Sequence, residues 1–227
     1  MLGAYWGPRK ESIDQCAERA LSFFEEIAKC DPALKTWRER GKSRQGALIK
    51  NANTGDRQYL IELLDRGRNK KDIGSSPIND LGFNVGLWNG VDVSLSITCG
   101  LYWSGSKSRA GLLNSIVLDL PQDLGELNRS EKMSSLLLSV VNAWTPDWAG
   151  VMAKDAMRSR NFSAQVPFVD WMLFVSRELP SSKLDPPVFR TQSGGSLIVV
   201  QADPPSDTDP KALSRINVVK EAISHLA

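Results

Sequence analysis

The sequence has little of the chemistry on which enzyme sites usually depend. It contains one histidine, His225, close to the end of the chain, and three cysteines, Cys16, Cys30 and Cys99. A nucleophile–histidine site would have to use that single histidine, and the cysteine spacing matches no zinc pattern. Each cysteine lies on an expected apolar face, so we interpret all three as reduced, buried thiols. No cofactor or metal site is expected from these residues.

Further absences bear on partners and location. The net charge is only +2, which indicates no broad attraction to nucleic acid. No apolar run reaches the roughly 18 residues that span a bilayer, and the opening MLGAYWGPRKES has no signal-peptide core. The glycine-rich phosphate loops are missing as well, because SGSKS at 104–108 lacks the full spacing and indicates a turn. We therefore expect a cytoplasmic protein that binds neither nucleic acid nor membrane directly.

The clearest pattern in the chain is a strand with one buried face. Over residues 91–99 apolar and small polar side chains alternate without a break, and residues 83–88 alternate in the same way. This period of two is typical of strands that bury one side. A third compact apolar strand follows at 116–120 and ends at Pro121.

Asn89-Gly90 between the first two strands predicts a hairpin. A two-residue loop would place apolar side chains opposite polar ones, whereas a three-residue loop at 88–90 pairs Leu87 with Val91. We therefore predict a left-handed Gly90, a G1 bulge and Trp88 at the hairpin tip. Trp88 there either folds back over the sheet edge or contacts a partner.

Helices and strands do not alternate strictly along the rest of the chain. Helices are predicted after the Ser12/Gln15 capping box, around Trp37, after Asp56, after Ser130 with a restart at Thr145-Pro146, and after Asp209-Pro210, and further strands at 168–176, 187–191 and 195–202. This order favours class α+β, with an antiparallel or mixed sheet of about five strands flanked by helices. We expect a single domain, residues 1–227, with an N-terminal helical part at 12–67 and a sheet-containing part at 82–227.

Aromatic side chains are the more suggestive candidates for function. Seven tryptophans are present, and Trp88 and Trp103 lie in expected turns near basic residues or glycine, as the anchors of protein–protein interfaces do. The competing interpretation is a metal-dependent hydrolase that uses Asp119 or Asp170, although the usual acid-x-lysine companion is beside neither. A third, a small-ligand binder with an aromatic pocket, lacks convergent polar groups. The residues therefore favour a binding protein rather than an enzyme.

A series of hydrophobic and aromatic motifs also occurs in a characteristic order. They are GAYWGPRKES, CAERAL, RGRN, DLGFNVGLWNG, LSITCG, NSIVLDLP, AW.PDWA and GGSLIVV. Each is weak alone, but together, from Gly3 to about Val200, they resemble the immunity protein 52 family of bacterial polymorphic-toxin systems.

The resemblance implies a protein that neutralises a toxin encoded beside it. The usual partner of this family is similar to a restriction-endonuclease-like nuclease domain, often delivered by type VI secretion, and inhibition takes place without catalysis. We expect contact through Trp88, Trp103 and the acidic loop residues Asp119, Asp123 and Glu126. Two modes of inhibition stay open: a local acidic patch could compete with nucleic acid for a basic surface, or binding could occur away from the toxin's active site. The oligomeric state is open too.

Overall fold

A computed structural model of the chain describes residues 1–41, 46, 48–71, 74–102, 113–121, 123, 125–179, 188–191, 194–205 and 209–224. The chain forms two compact units, one made of Tyr5–Pro121 and the other of Met1–Ala4 with Gln122–Ala227. The single-domain interpretation, with its helical part at 12–67 and its sheet part at 82–227, stays a prediction.

The described residues form five α-helices and ten strands. The helices are α1 (Ile13–Cys30), α2 (Arg57–Arg66), α3 (Ser130–Trp144), α4 (Lys154–Ser159) and α5 (Pro210–Ile223). The strands are β1 (Leu2–Trp6), β2 (Trp37–Glu39), β3 (Asn51–Ala52), β4 (Leu81–Trp88), β5 (Ser94–Leu101), β6 (Asn114–Asp119), β7 (Trp148–Val151), β8 (Met172–Val175), β9 (Val188–Arg190) and β10 (Ser196–Val199). The class is α+β, but the expected sheet of about five strands is wrong, since the strands number ten.

The missing strands were short ones for which the sequence favoured other structures. Strands β1 and β3 were not among the predicted strands, β2 was expected as a helical piece, and β7 as a restarted helix. At β7 the reason is local: Thr145 adopts a left-handed conformation with φ of +46° and ends α3. Its N–H donates to the Val141 carbonyl at 2.8 Å, and four buried residues then form β7. A threonine that was expected to begin a helix therefore ends one.

In the unit Tyr5–Pro121 the strand order is β3-β2-β4-β5-β6, with β1 beside β6. The pairs from β3 to β6 are all antiparallel. The inner face is apolar, and α1 and α2 pack together and against β5 and β4 respectively. The capping box of Ser12 and Gln15 begins α1, and the Asp56 carboxylate caps α2, both as predicted.

The hairpin of β4 and β5 has a different register from the one expected. Leu87 pairs with Leu95 rather than with Val91, so the loop contains five residues, 89–93. A shift of four residues keeps every side chain on its face, which is why the alternation predicted the buried face correctly and the loop wrongly. Val91 is at the tip instead of Trp88 and is 75% exposed, whereas Trp88 is half-buried at the end of β4.

The Asn89 side chain accounts for the longer loop. Its Oδ1 accepts hydrogen bonds from the backbone N–H groups of Val91, Asp92 and Val93 at 2.9, 3.0 and 3.0 Å. The Asn89 carboxamide oxygen thus accepts hydrogen bonds from three successive backbone N–H groups of the loop. In a tight turn, acceptors on the opposite strand would have to satisfy these groups. Gly90 has a φ of +90°, in the left-handed region as predicted.

In the other unit the strand order from β1 is β7-β8-β10-β9, and β7, β8, β10 and β9 pair antiparallel in turn. Helix α3 packs on β7 and buries one apolar stripe, which consists of Met133, Leu136, Leu137, Val140, Val141 and Trp144. The expected edge strand at 187–191 corresponds to β9, and the Asp209 carboxylate caps α5 as predicted.

Two of the three cysteines contribute to the core of the unit Tyr5–Pro121. Cys16 of α1 and Cys99 of β5 are buried, whereas Cys30 is half-buried, and all three are free thiols. A hydrogen bond with Cys16 and burial together raise the pKa of the Cys99 thiol well above its ordinary value. Cys99 is therefore a neutral thiol, and Cys16 is a second small, buried side chain of this core.

Asn114 is a fully buried polar residue at the start of β6. Its Oδ1 accepts from the Leu101 N–H at 2.9 Å, and its Nδ2 donates to the carbonyls of Leu101 at 3.0 Å and Gly7 at 2.8 Å. The carboxamide therefore joins the end of β5, the start of β6 and the segment after β1.

We predict that Asn114→Ala lowers the free energy of unfolding by about 2–4 kcal/mol, because the buried Leu101 N–H loses its acceptor and the Gly7 carbonyl loses one donor. Urea denaturation followed by circular dichroism measures the change. Ser115→Ala, one position along on the opposite face, is the control and should change stability by about 0.5 kcal/mol or less. Equal effects of the two substitutions would contradict the role given to the carboxamide.

Candidate partner-binding surface

The outer face of the sheet in the unit Tyr5–Pro121 carries side chains in rows across its strands. Arg38 pairs with Trp88, Trp88 with Ser94, and Ser94 with Asp119. Paired residues of adjacent strands share a face, so these four side chains form one row. Trp88 and Asp119 are two strand spacings apart, about 10 Å. The fold therefore brings two of the five predicted contact residues onto one surface.

The rows beside this one are made of small or polar side chains. The next contains Gly86, Ser96 and Val117, and the one after it contains Asn84, Thr98 and Ser115. All six residues are half-buried or exposed, and Thr98 Oγ1 donates to Asn84 Oδ1 at 2.9 Å. Trp88 is the largest side chain on these three rows, which form a surface of low relief.

Two arginines belong to the same face and were missed in the sequence. In Trp37-Arg38-Glu39-Arg40 the side chains alternate: Trp37 is buried, with its ring centroid 5.9 Å from that of Phe24 in α1. Arg38 shares the outer face with Trp88, and the period of two places Arg40 on that face as well. The alternation over residues 37–40 could have identified the two outward-facing arginines. It was overlooked because a helical piece was expected around Trp37.

Two glycines allow these arginines to lie close to the strands. A Cβ added at Gly86 would lie 2.9 Å from Arg40 Nε, and one added at Gly90 would lie 2.6 Å from Arg38 Nε. Both positions therefore place an arginine where a side chain would otherwise stand. Since Gly86 and Gly90 are two residues either side of Trp88, the arginines lie on both sides of the tryptophan along β4.

Glu39 ties the inner side of β2 to helix α2. Its carboxylate accepts from Tyr59 Oη at 2.8 Å, from Arg66 at 2.8 Å and from Lys50 at 3.0 Å. Burial opposes ionisation of Glu39, but the hydrogen bonds from Lys50 and Tyr59 and the charge of Arg66 outweigh it, so its pKa is lowered. Burial and the hydrogen bond to Glu39 raise the pKa of Tyr59 to about 12. These contacts fix β2, which carries Arg38 and is followed by Arg40, to Lys50 and to helix α2.

The outer face keeps hydrogen-bond donors without partners. Arg38 Nη1 donates to Asn51 Oδ1 at 3.1 Å and to the Leu48 carbonyl. Within the described ranges, however, the buried Arg38 Nε and Trp88 Nε1 have no hydrogen-bond partner. The Arg40 side chain is exposed, and it forms no ion pair in the described part of the chain. The site thus offers donors and positive charge beside an aromatic ring.

The remaining predicted contact residues have separate surroundings. Asp123 and Glu126 belong to the other unit, where both are exposed. Asp123 accepts the Gly125 N–H at 3.0 Å, and Glu126 forms an ion pair with Arg129 at 3.5 Å. Trp103 lies outside the described residues, as do His225 and the SGSKS turn at 104–108.

Asp170, a candidate of the hydrolase interpretation, is buried in the unit that contains α4. Its carboxylate forms an ion pair with Arg160 and accepts the Ala153 N–H at 2.7 Å at the start of α4. Arg160 also donates to the Val169 carbonyl at 2.9 Å. In the described ranges, no group of three or more His, Cys, Asp or Glu side chains is placed to hold a metal ion. The contacts of Asp170 are those of a structural ion pair.

Comparison with known proteins gives the family. A family model described as Immunity protein 52 matches residues 1–223. The chain belongs to the immunity protein 52 family. No curated protein matches its sequence. Across the part of this family member that the structure describes, no helix is both long enough and apolar enough to cross a bilayer.

A solved structure similar to this immunity protein 52 family member is the Pseudomonas aeruginosa T6SS protein PA0821. It is 14% identical in sequence, with a TM-score of 0.56, and the match covers 98% of this chain and 71% of that chain. At 14% sequence identity, this comparison shows a similar fold and does not by itself show a similar function.

We predict that Gly90→Ala destabilises the protein by about 1–2 kcal/mol, because alanine is strained at a φ of +90° and its Cβ would collide with Arg38. Gly86→Ala is the matched control, since only the exposed and flexible Arg40 must move there. Thermal and urea denaturation measure both. Equal changes for the two variants would contradict this account.

We also predict that Asp170→Ala lowers the free energy of unfolding by about 3–5 kcal/mol, because it leaves the Arg160 guanidinium buried without its counter-ion. The control is Asp155→Ala, which removes an exposed partner of Arg158 and should cost about 1 kcal/mol or less. Urea denaturation compares them, and a stable Asp170→Ala protein would show that the ion pair is not structural.

Proposed function

We propose that this member of the immunity protein 52 family binds a cognate toxin and neutralises it without catalysis, protecting the cell that makes both. The family match over residues 1–223 carries the proposal. The outer sheet face supports it, because an aromatic anchor among small side chains, flanked by arginines, is the composition of protein–protein hot spots.

We propose further that the toxin is a nuclease of the restriction-endonuclease-like class, delivered by type VI secretion, and that the two proteins meet in the cytoplasm. The resemblance of the sequence motifs to the family supports the toxin class. The likeness of the fold to a Pseudomonas aeruginosa T6SS protein is consistent with the delivery route.

The contact is proposed to include Trp88, Trp103, Asp119, Asp123 and Glu126. Trp88 and Asp119 support this choice best, since they share one row of the outer face. Trp88 is half-buried, so a partner that covers the rest of its side chain would remove a large apolar group from water, and truncation of such a tryptophan is costly. Asp123 and Glu126 are exposed acids that would meet basic groups of the partner.

Protection of cells tests the function directly. Cells that express the nuclease domain encoded beside this chain should survive when they also express the chain, and should lose genomic DNA without it. The purified chain should bind a catalytically inactive form of that domain in isothermal titration calorimetry. Survival without measurable binding, or binding without protection, would contradict the proposal.

Trp88→Ala is expected to weaken this binding by about 30-fold or more, the equivalent of about 2 kcal/mol, because it removes the largest apolar group of the outer face. Val166→Ala, an exposed side chain of the other unit, is the control for folding and general surface effects. Circular dichroism should show unchanged secondary structure for both variants. An unchanged affinity for Trp88→Ala and for Trp103→Ala would show that the proposed contact residues are wrong.

A further inference from the structure

Exposed apolar side chains collect at one end of the sheet in the unit Tyr5–Pro121. Large hydrophobic residues exposed in the described part of the chain are Leu48, Ile49, Val91, Val166 and Val218. Ile49 is 84% exposed, Val91 75% and Leu48 40%. Single exposed apolar residues need no explanation, but a group of them indicates an interaction site.

Arg38 lies between Leu48 and the hairpin tip that carries Val91, and Ile49 is the residue after Leu48. The Nη1 of Arg38 donates to the Leu48 carbonyl, and its Nε lies against Gly90, the neighbour of Val91. Its strand partner is Trp88. We call the surface made of Leu48, Ile49 and Val91 around Arg38, Arg40 and Trp88 the Arg38 patch.

The hairpin tip in this patch is held in one conformation by Asn89. Its Oδ1 accepts three backbone N–H groups, its N–H donates to the Val93 carbonyl at 2.9 Å, and its Nδ2 donates to the Ala33 carbonyl at 3.4 Å. Val91 is therefore presented to solvent by a tied loop. A side chain that is already positioned loses little conformational entropy when a partner covers it.

The polar groups of the patch favour a partner that brings hydrogen-bond acceptors. Within the part of the chain that the structure describes, Arg38 Nε and Trp88 Nε1 are buried donors without a partner. An unsatisfied buried donor costs about 1–3 kcal/mol. A small rotation of either side chain towards an acceptor on a partner would recover part of that free energy.

The charges of the patch favour the same chemistry. Lys50 and Glu39 form an ion pair at 3.0 Å, and the Asp92 carboxylate accepts the Asn89 amide at 3.4 Å. Arg40 has no ion-pair partner in the described ranges, and Gly86 leaves room for it to lie along the sheet. Asp92 forms no ion pair in the described ranges and offsets one positive charge, so Arg38 and Arg40 together leave the patch with an excess of positive charge, to which a carboxylate is the complementary group.

We propose that the Arg38 patch is where the toxin docks, and that it takes an acidic and apolar segment of the toxin surface. Aliphatic side chains of the segment cover Leu48, Ile49 and Val91, and a carboxylate binds beside Arg40 and Trp88. The inference rests on the proposed function. It also places this part of the contact away from the basic surface with which a nuclease holds its substrate, because that surface would repel the arginines.

Two substitutions in the chain test this docking surface. The probe is the catalytically inactive nuclease domain encoded beside the chain, titrated into the full-length protein. Val91→Asp and Arg40→Glu should each weaken binding at least tenfold and reduce protection of cells. Their matched controls are Val166→Asp and Arg158→Glu, which change an exposed valine and an exposed arginine of the other unit and should leave the affinity within twofold.

The sign of the charge is tested separately. Arg40→Gln should weaken binding less than Arg40→Glu does, and a Glu→Lys or Asp→Lys change in the contacting toxin segment should restore binding to Arg40→Glu. Stronger binding by Arg40→Glu would show that the segment is basic and would overturn the inference. Thermal denaturation of every variant confirms that the affinities are compared among folded proteins.

The outcomes separate the inference from the function on which it rests. A wild-type chain that neither binds the domain nor protects cells overturns both. A wild-type chain that binds and protects, with Val91→Asp and Arg40→Glu equal to their controls, overturns the docking surface alone. A wild-type dimer in light scattering that Val91→Asp dissociates, with toxin binding unchanged, would assign the patch to a second copy of the chain and also overturn it.

Discussion

The carboxamide of Asn114 is the interaction on which the arrangement of the outer sheet face depends. It satisfies both backbone groups of Leu101 and the carbonyl of Gly7, and the Asn114 side chain is itself fully buried. Because it joins the end of β5 to the start of β6, it fixes the point from which their pairing runs, with Thr98 opposite Ser115 and Ser94 opposite Asp119. A one-residue slip would turn the outer row inward and place Ser115 and Asp119 in the core.

The two faces that this register creates carry different tasks. The inner face packs aliphatic side chains and the Cys99 thiol against α1, which contributes Cys16, and against α2, and this apolar burial stabilises the unit. The outer face is released from packing against those helices, so it can carry glycine, serine and threonine around one tryptophan. Because no helix requires a side chain at Gly86 or Gly90, Arg40 and Arg38 can lie over these two positions. A larger residue at either glycine would collide with the arginine side chain above it.

Prediction from the sequence succeeded where a repeating pattern or a capping side chain marked an element, and failed where neither did. The alternation in β4 and β5 repeats one rule over several residues, and the capping box before α1 and the Asp56 cap of α2 are side chains typical of a helix start. Strand β2 has three residues, too few for a period of two to be distinguished from a helical turn. The hairpin loop was misjudged because its length depends on one side-chain oxygen, that of Asn89, which no backbone pattern reveals.

The same distinction applies to the candidate site. Trp88 and Asp119 could be chosen from residue type alone, but their common row depends on the strand register, and Arg38 and Arg40 could be found only once β2 was known to be a strand. A net charge of +2 suggested no particular partner, yet two positive charges lie within a few residues of each other on one face. Local charge, rather than the net charge of the chain, governs which surface of a partner can approach within a Debye length of about 8–10 Å. In this family member, Gly86 and Gly90 let Arg40 and Arg38 lie beside Trp88, and the local positive charge that results is complementary to an acidic segment of a partner.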